Sequence, residues 1–201
     1  EFIKENDFSF GISIDGPDFI HNKNRRNWKG RDSHHLTLRG IQCLQKHNID
    51  VGTLTVLTKE ALKYPREIFE FFSENKISSV AFNVEEIVSA HETRLCGSSW
   101  KGLATEYKRF FSVMYDLCRN NKGTLVVREI KDMLEEIRRI KENHHYFSHP
   151  IETHQMGILT IDKEGNIVTN SPEMAGGEKN NPKAFVVCNI FDINSFEDIY
   201  K

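Results

Sequence analysis

The chain has 201 residues, enough for one ordinary domain with a small appendage. Hydrophobic residues make up 38% and charged residues 28%, with a formal net charge of −2; this balance is typical of folded globular proteins and lacks the basic excess of nucleic-acid-binding proteins. No apolar run reaches membrane-spanning length and the first residues do not resemble a signal peptide, so we expect a cytoplasmic protein without a membrane partner.

The cysteines and histidines do not indicate a metal site. The cysteines are Cys43, Cys96, Cys118 and Cys188. Their separations match no C-x-x-C or related pattern, and so few cysteines in a chain of this length do not indicate a disulfide framework. Several histidines between residues 144 and 154 could be zinc ligands, but Pro150 interrupts the helix that would align them, so exposed loop histidines are the favoured interpretation.

Strands and helices alternate in the first part of the chain. The predicted strands are residues 8–14, 51–58 and 79–84. Amphipathic helices are predicted between them, one from Ser33 to His47 and one that starts near Pro65. This order predicts a βαβαβ unit with a parallel sheet and right-handed crossovers.

After the third strand the pattern changes. The next predicted elements are a helix at 100–120, a strand at 124–128, a charged helix at 130–143, a hairpin formed by 157–162 and 167–170, a strand at 185–188 and a final short helix. Gly165 is available for the left-handed position of the hairpin turn. We therefore predict two domains, residues 1–125 and residues 126–201.

Alternation along the three strands separates two faces of the predicted sheet. Large apolar residues occupy one set of positions, and they include Leu54 and Val56 in the second strand. The other set is small or polar: Ser9, Gly11, Ser13, Thr53, Thr55, Ala81 and Asn83. Helices are expected to cover the apolar set. The small polar face then either encloses a ligand cavity or is a partly solvated face of an open sheet.

Charged residues follow the carboxyl ends of the first and third strands. Asp15 lies at the sharp Asp-Gly-Pro exit of the first strand, and Glu85 and Glu86 follow the third. Ligands bind at this edge in parallel α/β proteins. Arg25 comes shortly afterwards, and its guanidinium could hold a carboxylate through two hydrogen bonds; a capping turn with solvated charges is the simpler alternative.

Several segments, taken together, resemble one enzyme family. The sequence G-I-S-I-D-G-P at 11–17, with I-H at 20–21 and N-R at 24–25, resembles the fourth barrel strand and following loop of radical S-adenosylmethionine (SAM) enzymes with SPASM-type extensions. The segments F-N-V-E-E at 82–86 and L-T-I-D-x-x-G-N at 159–166 resemble the members that crosslink ribosomally made peptides into cyclophanes. The resemblance covers nearly the whole chain, in order.

The resemblance implies an α/β fold, namely half of a partial (β/α)6 radical SAM barrel with three parallel strands, followed by a SPASM-like α+β extension. It implies SAM and a 4Fe–4S cluster as cofactors and a precursor peptide as substrate. The residues that it implies are Ser13 and Arg25 for the methionyl carboxylate of SAM, Thr55 and Asn83 for its ribose or adenine, and Asp15, Glu85 and Glu86 for the peptide.

The cysteine loop that holds the cluster in this family, C-x-x-x-C-x-x-C, has no counterpart in the sequence. Barrel strands one to three also have none. We therefore expect the chain to be inactive alone, with residues 8–14 pairing with an N-terminal half-barrel, a second copy or another protein. Two hypotheses remain, the C-terminal portion of a peptide-modifying radical SAM enzyme or a non-catalytic truncated relative that binds a peptide or partner.

Overall fold

The computed structural model describes residues 2–6, 8, 10–85, 100–121, 125–142, 157–169, 174–175, 181 and 183–200. The chain divides into two compact units. The sheet-bearing unit comprises Glu1–Glu85 and Thr93–Asn143, and the hairpin unit comprises Glu86–Glu92 and His144–Lys201. None of the helices in the described ranges combines the length and the apolar composition that crossing a bilayer requires.

A parallel sheet with the strand order β1-β2-β3-β4 forms the centre of the sheet-bearing unit. Its strands are β1 (Phe10–Ser13), β2 (Val51–Leu57), β3 (Ser79–Val84) and β4 (Val126–Val127). Its helices are α1 (Phe2–Glu5), α2 (Asp18–Asn24), α3 (His34–Lys46), α4 (Pro65–Glu74), α5 (Trp100–Asn120) and α6 (Arg128–Lys141). The predicted α/β class and the parallel βαβαβ order are confirmed, and β4 adds a fourth strand.

One face of this sheet is covered by helices, and the other is open within the described part of the chain. On the covered face, Ile12 lies beside Thr53 and Thr53 beside Val80. On the open face, Ser13 lies beside Leu54, and both side chains are exposed. Helices α3 and α4 contribute to the core on the covered side. Of the two alternatives for the small face, the described chain by itself shows the partly solvated one.

The predicted assignment of faces is wrong for β2. Leu54 and Val56 lie on the open face, whereas Thr53 and Thr55 lie on the covered face and are buried. Burial of the two threonines is tolerated because each hydroxyl donates to a carbonyl oxygen of a neighbouring segment, at 3.0 and 2.6 Å. The polarity of these side chains therefore did not indicate which side of the strand faces the core.

Aromatic side chains from α4, β3 and α5 form the centre of the core. Phe72 and Phe110 are fully buried, and Phe82 lies between them on the covered face. The ring centroid of Phe82 is 6.4 Å from that of Phe72 and 5.3 Å from that of Phe110, both in edge contacts. This core holds the helices on one side of the sheet, and no described element covers the opposite face.

Residues 18–24 form helix α2, although the sequence analysis places them in a loop. Seven residues are too few to show a helical period, and of these Ile20 and His21 are the buried ones. Gly16 makes the turn that precedes α2 with φ +101°, and a Cβ at this position would lie 3.2 Å from Ile68. The Asp-Gly-Pro segment is thus a turn from strand to helix.

Residues 126–141 belong to the sheet-bearing unit. Strand β4 pairs in parallel with the first two residues of β3. Because β4 is too short to reach Phe82, the Oε2 atom of Glu129 accepts the Phe82 N–H instead, at 3.0 Å. The predicted boundary at residue 125 falls before β4 and α6, which belong to the sheet-bearing unit by their contacts. The two predicted domains and the SPASM-like character of the second stay predictions.

The hairpin unit contains an antiparallel sheet of β5 (Leu159–Ile161), β6 (Asn166–Thr169) and β7 (Val186–Asn189). This confirms the predicted hairpin and the strand that follows it. The Oδ1 atom of Asp162 accepts the N–H groups of Glu164 and Asn166 at 2.9 Å, and Gly165 adopts φ +82°. The short 3-10 helices Ile190–Asp192 and Phe196–Tyr200 follow β7.

Candidate functional site

Asp15 organises the carboxyl end of β1. Its side chain is buried, and Oδ2 accepts a hydrogen bond from Arg25 Nε at 2.7 Å while Oδ1 accepts the Val56 N–H at 3.0 Å. The carboxylate therefore joins the ends of β1 and β2 to Arg25. Each carboxylate oxygen thus accepts one hydrogen bond inside the fold, and the predicted contact of Asp15 with a peptide stays a prediction.

His21 completes this arrangement as a neutral ring. Its Nδ1 atom accepts the Asp15 N–H at 3.3 Å, so Nε2 carries the proton and donates to Ser33 Oγ at 3.1 Å. The Ser33 hydroxyl in turn donates to the carbonyl oxygen of Arg25 at 2.8 Å. Burial lowers the pKa of His21 to about 4, against the opposing effect of the Asp15 charge. The ring thus connects both ends of the segment 15–25.

Arg25 presents a guanidinium whose outer nitrogens are free of acceptors within the described residues. Its Nε is used by Asp15, and its side chain is 33% exposed. The bond to Asp15 fixes the plane of the guanidinium, so the Nη groups are oriented before any ligand arrives. Two oriented N–H donors are suited to a carboxylate.

Ser13 and Asn83 lie on the open face, and Thr55 does not. Ser13 lies beside Leu54, and Asn83 lies beside Val56. Since Leu54 and Val56 share the open face, Ser13 and Asn83 lie on that face too. Thr55 is buried on the opposite face, where its hydroxyl donates to the carbonyl oxygen at the end of β1. Its side chain therefore lies outside the candidate site, and Leu54 occupies the position between Ser13 and the rest of the open face.

Arg128 and Glu129, which the sequence analysis does not identify, fix the orientation of Asn83. Arg128 Nη2 donates to Asn83 Oδ1 at 3.1 Å and lies 2.6 Å from Glu129 Oε1. The other carboxylate oxygen of Glu129 accepts the Phe82 N–H. Because Oδ1 of Asn83 is an acceptor here, its Nδ2 is left to donate to a ligand. No short sequence motif identifies this pair, since 45 positions separate Asn83 from Arg128.

Glu85 lies at the carboxyl end of β3, as predicted, and its Oε2 atom is buried without a hydrogen-bond partner within the described part of the chain. Burial, reinforced by the Glu85 charge, raises the pKa of Tyr107 to about 12. The Tyr107 hydroxyl therefore remains a donor, and it donates to the carbonyl oxygen of Leu57 at 3.1 Å. Glu86 lies outside the described residues.

The donors of the open face and of the carboxyl edge of the sheet fit SAM better than they fit a cluster. Arg25 can hold a carboxylate, and Ser13 and Asn83 can donate to oxygen or nitrogen acceptors. Among the described residues no group of three histidine, cysteine or acidic side chains could hold a metal ion. The described cysteines are free thiols, and Cys96 and the histidines of 144–154 lie outside the described residues. The wide cysteine spacing does not fit a 4Fe–4S cluster.

Sequence comparison relates the chain to sulfatase-maturating enzymes. No protein-family model matches the chain. An uncharacterized protein of Synechocystis sp. is 33% identical over 174 residues, which are 87% of this chain and 42% of that protein. The serine-type anaerobic sulfatase-maturating enzyme of Bacteroides thetaiotaomicron is 34% identical over 104 residues, 51% of this chain and 25% of the enzyme. The cysteine-type enzyme of Clostridium perfringens is 29% identical over 82 residues, 41% and 22% of the two chains.

Solved structures show the same fold over the whole chain. Native anSMEcpe with bound AdoMet and the Cp18Cys peptide matches with a TM-score of 0.75 and 20% identity, and native anSMEcpe with bound AdoMet matches with 0.76 and 19%. Each match covers 100% of this chain and 52% of the solved chain. The chain therefore has the α/β fold of these solved structures and spans about half of their length, and less than half of the length of the sequence relatives.

Proposed function

We propose that the chain is the C-terminal portion of a radical SAM enzyme that modifies a ribosomally made peptide. The observation that carries this proposal is the Arg25 guanidinium at the carboxyl edge of the sheet, which buried Asp15 holds and whose outer nitrogens have no acceptor among the described residues. We infer that these nitrogens bind the methionyl carboxylate of SAM, while Ser13 and the Asn83 amide donate to other parts of the molecule. Two structures of the same fold are named with bound AdoMet, which supports this assignment.

A peptide is the proposed substrate. The solved structures that share this fold include complexes named with peptides, and two of the three sequence relatives described above are named as sulfatase-maturating enzymes. Crosslinking is the finer proposal, supported by the F-N-V-E-E segment at 82–86. Glu85, whose buried Oε2 atom has no hydrogen-bond partner within the described ranges, and Glu86 are the residues that we propose for the peptide side of the site. The cytoplasm is the proposed compartment.

The proposal requires a second polypeptide segment for the chemistry. A reduced iron–sulfur cluster and SAM supply the radical when both are bound, and the cysteines of this chain do not fit such a cluster. The outer edge of β1 is unpaired among the described strands. We propose that an N-terminal half-barrel or a second chain pairs with this edge and brings the cluster, and that the chain alone is inactive.

A non-catalytic role is the second candidate. Cysteines that are too widely spaced for a cluster favour this role as much as they favour an enzyme portion without its cluster-binding segment. In this role a truncated relative keeps the open face as a binding module for a peptide or partner. Iron and sulfide analysis after anaerobic reconstitution, together with the sequence encoded upstream of the chain, separates the two candidates. A C-x-x-x-C-x-x-C segment encoded there supports the enzyme, and an independent start codon supports the binding module.

Titration calorimetry with SAM tests the proposed site. We expect the R25Q variant to bind SAM at least about tenfold more weakly than the parent chain, because a charge-assisted hydrogen-bonded pair is lost. The R39Q variant, which removes an exposed arginine of α3, is the matched control and should bind as the parent does.

Decarboxylated SAM supplies the complementary control for this titration. If Arg25 binds the carboxylate of SAM, the loss of binding free energy caused by R25Q and the loss caused by removal of the carboxylate should not be additive. If R25Q weakens the binding of SAM and of decarboxylated SAM equally, the assignment of Arg25 is contradicted. If SAM does not bind to the parent chain, the proposed site as a whole is contradicted.

A further inference from the structure

The loop of residues 26–32 displays a tryptophan at its tip. Trp28 is 89% exposed, which is unusual for an aromatic side chain in an ordered turn. The loop is closed at its base by a bridge between Arg26 and Asp32, whose side chains also form an ion pair at 2.9 Å. It begins directly after Arg25 and therefore starts at the carboxyl edge of the sheet.

Hydrogen bonds to Asn27 make the tip a defined turn. The Oδ1 atom of Asn27 accepts the N–H groups of Lys29 and Arg31 at 2.9 and 3.0 Å. The Asn27 N–H donates to the Arg31 carbonyl oxygen, and its own carbonyl oxygen accepts the Gly30 N–H, both at 2.8 Å. Gly30 adopts φ +71°, which glycine permits without strain. The exposed ring is thus held on an ordered backbone, so binding would cost little ordering of the chain.

The charges around the ring are basic and only partly neutralised. Arg26 is paired with Asp32, and Lys23 with Glu60. Lys29 Nζ lies 4.6 Å from the centroid of the Trp28 ring and has no carboxylate partner in the described structure. The Arg31 side chain likewise has no acidic partner among the described residues. The loop therefore carries one exposed aromatic ring and two cations that have no acidic partner among the described residues.

We propose that this loop binds an acidic segment of a polypeptide, with Trp28 against an apolar or aromatic side chain and Lys29 and Arg31 paired with its carboxylates. Tryptophan and arginine are the residue types that dominate binding energy at protein interfaces. That the partner is the peptide substrate rests on the proposed function, because the loop starts beside the site proposed for SAM. Two free cations are too few for a phosphate backbone, whose binding depends on many lysines and arginines.

Tryptophan fluorescence measures this binding directly. Because the sequence contains two tryptophans, W100F leaves Trp28 as the only emitter. The probes are two synthetic peptides, Gly-Asp-Glu-Phe-Glu-Asp-Gly and its lysine counterpart Gly-Lys-Lys-Phe-Lys-Lys-Gly. We expect a saturable emission change with the acidic peptide alone, several-fold weaker at 300 mM salt than at 50 mM. The double variant K29Q/R31Q should bind at least about fivefold more weakly, and R39Q should bind as the parent does.

Calorimetry is used for W28A in the W100F background, which has no tryptophan emission to follow, and it should show a loss of affinity of about tenfold or more. Equal binding of the lysine peptide, no saturable change with the acidic one, or no effect of K29Q/R31Q overturns the inference, as does tighter binding of a single-stranded oligonucleotide. The SAM titration separates the two proposals. SAM binding without acidic-peptide binding overturns only the loop inference, and the reverse result overturns only the proposed cofactor site.

Discussion

Replacement of Asp15 by asparagine should lower the free energy of unfolding by about 2–3 kcal/mol. The substitution keeps the size of the side chain but removes the buried negative charge that accepts a hydrogen bond from Arg25 at 2.7 Å. An asparagine can still accept the Val56 N–H through its oxygen, yet it then turns its own NH2 donors toward the guanidinium. Urea unfolding of the parent and of D15N measures the difference.

The same variant tests whether Asp15 positions Arg25 for a ligand. D15N should weaken SAM binding at least about fivefold, because the guanidinium loses the contact that fixes its plane. D32N is the matched control, since Asp32 forms an ion pair with Arg26 at a similar distance but with both side chains more than half exposed. Such a pair contributes about 0–1 kcal/mol. Equal destabilisation by D15N and D32N contradicts the role assigned to Asp15.

The stability of the sheet-bearing unit should fall as the pH is lowered from 7.5 to 5, by about 2 kcal/mol from His21 alone. Burial lowers the pKa of His21 from 6.5 to about 4 in the folded chain. Between these values the unfolded chain binds a proton that the folded chain does not, so this contribution is complete above pH 6.5 and is lost as the pH approaches 4. His34, whose ring centroid is 5.4 Å away, has a pKa lowered by burial and adds an effect of the same sign.

Urea unfolding of the parent and of H21Q, each at several pH values, measures this effect. The variant should be less stable at pH 7.5, because glutamine does not reproduce both ring hydrogen bonds, and its stability should depend less steeply on pH. The ring signal of His21 in proton NMR supplies an independent readout of its pKa. Titration of that signal near pH 6.5 contradicts the account of His21 as a buried neutral link between Asp15 and Ser33.

The sequence was sufficient to predict the order of strands and helices, because that order depends on long apolar patterns. β3 and α5 begin and end where the sequence analysis puts them. It was not sufficient for α2, since seven residues cannot show a period, whereas β4 lies within the strand predicted at 124–128. It also assigned β2 to the wrong faces, because buried threonines can satisfy their hydroxyls on neighbouring carbonyl oxygens.

The candidate site was predictable only where local position determines it. Ser13 and Asn83 follow from strand alternation, and Arg25 follows from its place after the first strand. The contacts that orient them, from Asp15 and Arg128, depend on the packed structure. A carboxylate at the end of a strand can point outward to a ligand or inward to the fold. The sequence alone does not distinguish these two orientations.

Methyl NMR of the leucines of β2 tests the proposed SAM site most directly. Leu54 lies on the open face, where its side chain is 38% exposed, and Leu57 is fully buried on the covered face. Addition of SAM should shift the Leu54 methyl signals in a saturable manner and leave those of Leu57 in place. Saturable shifts at Leu57 without any at Leu54, or no shifts at either residue at millimolar SAM, contradict the open face as the cofactor-binding surface.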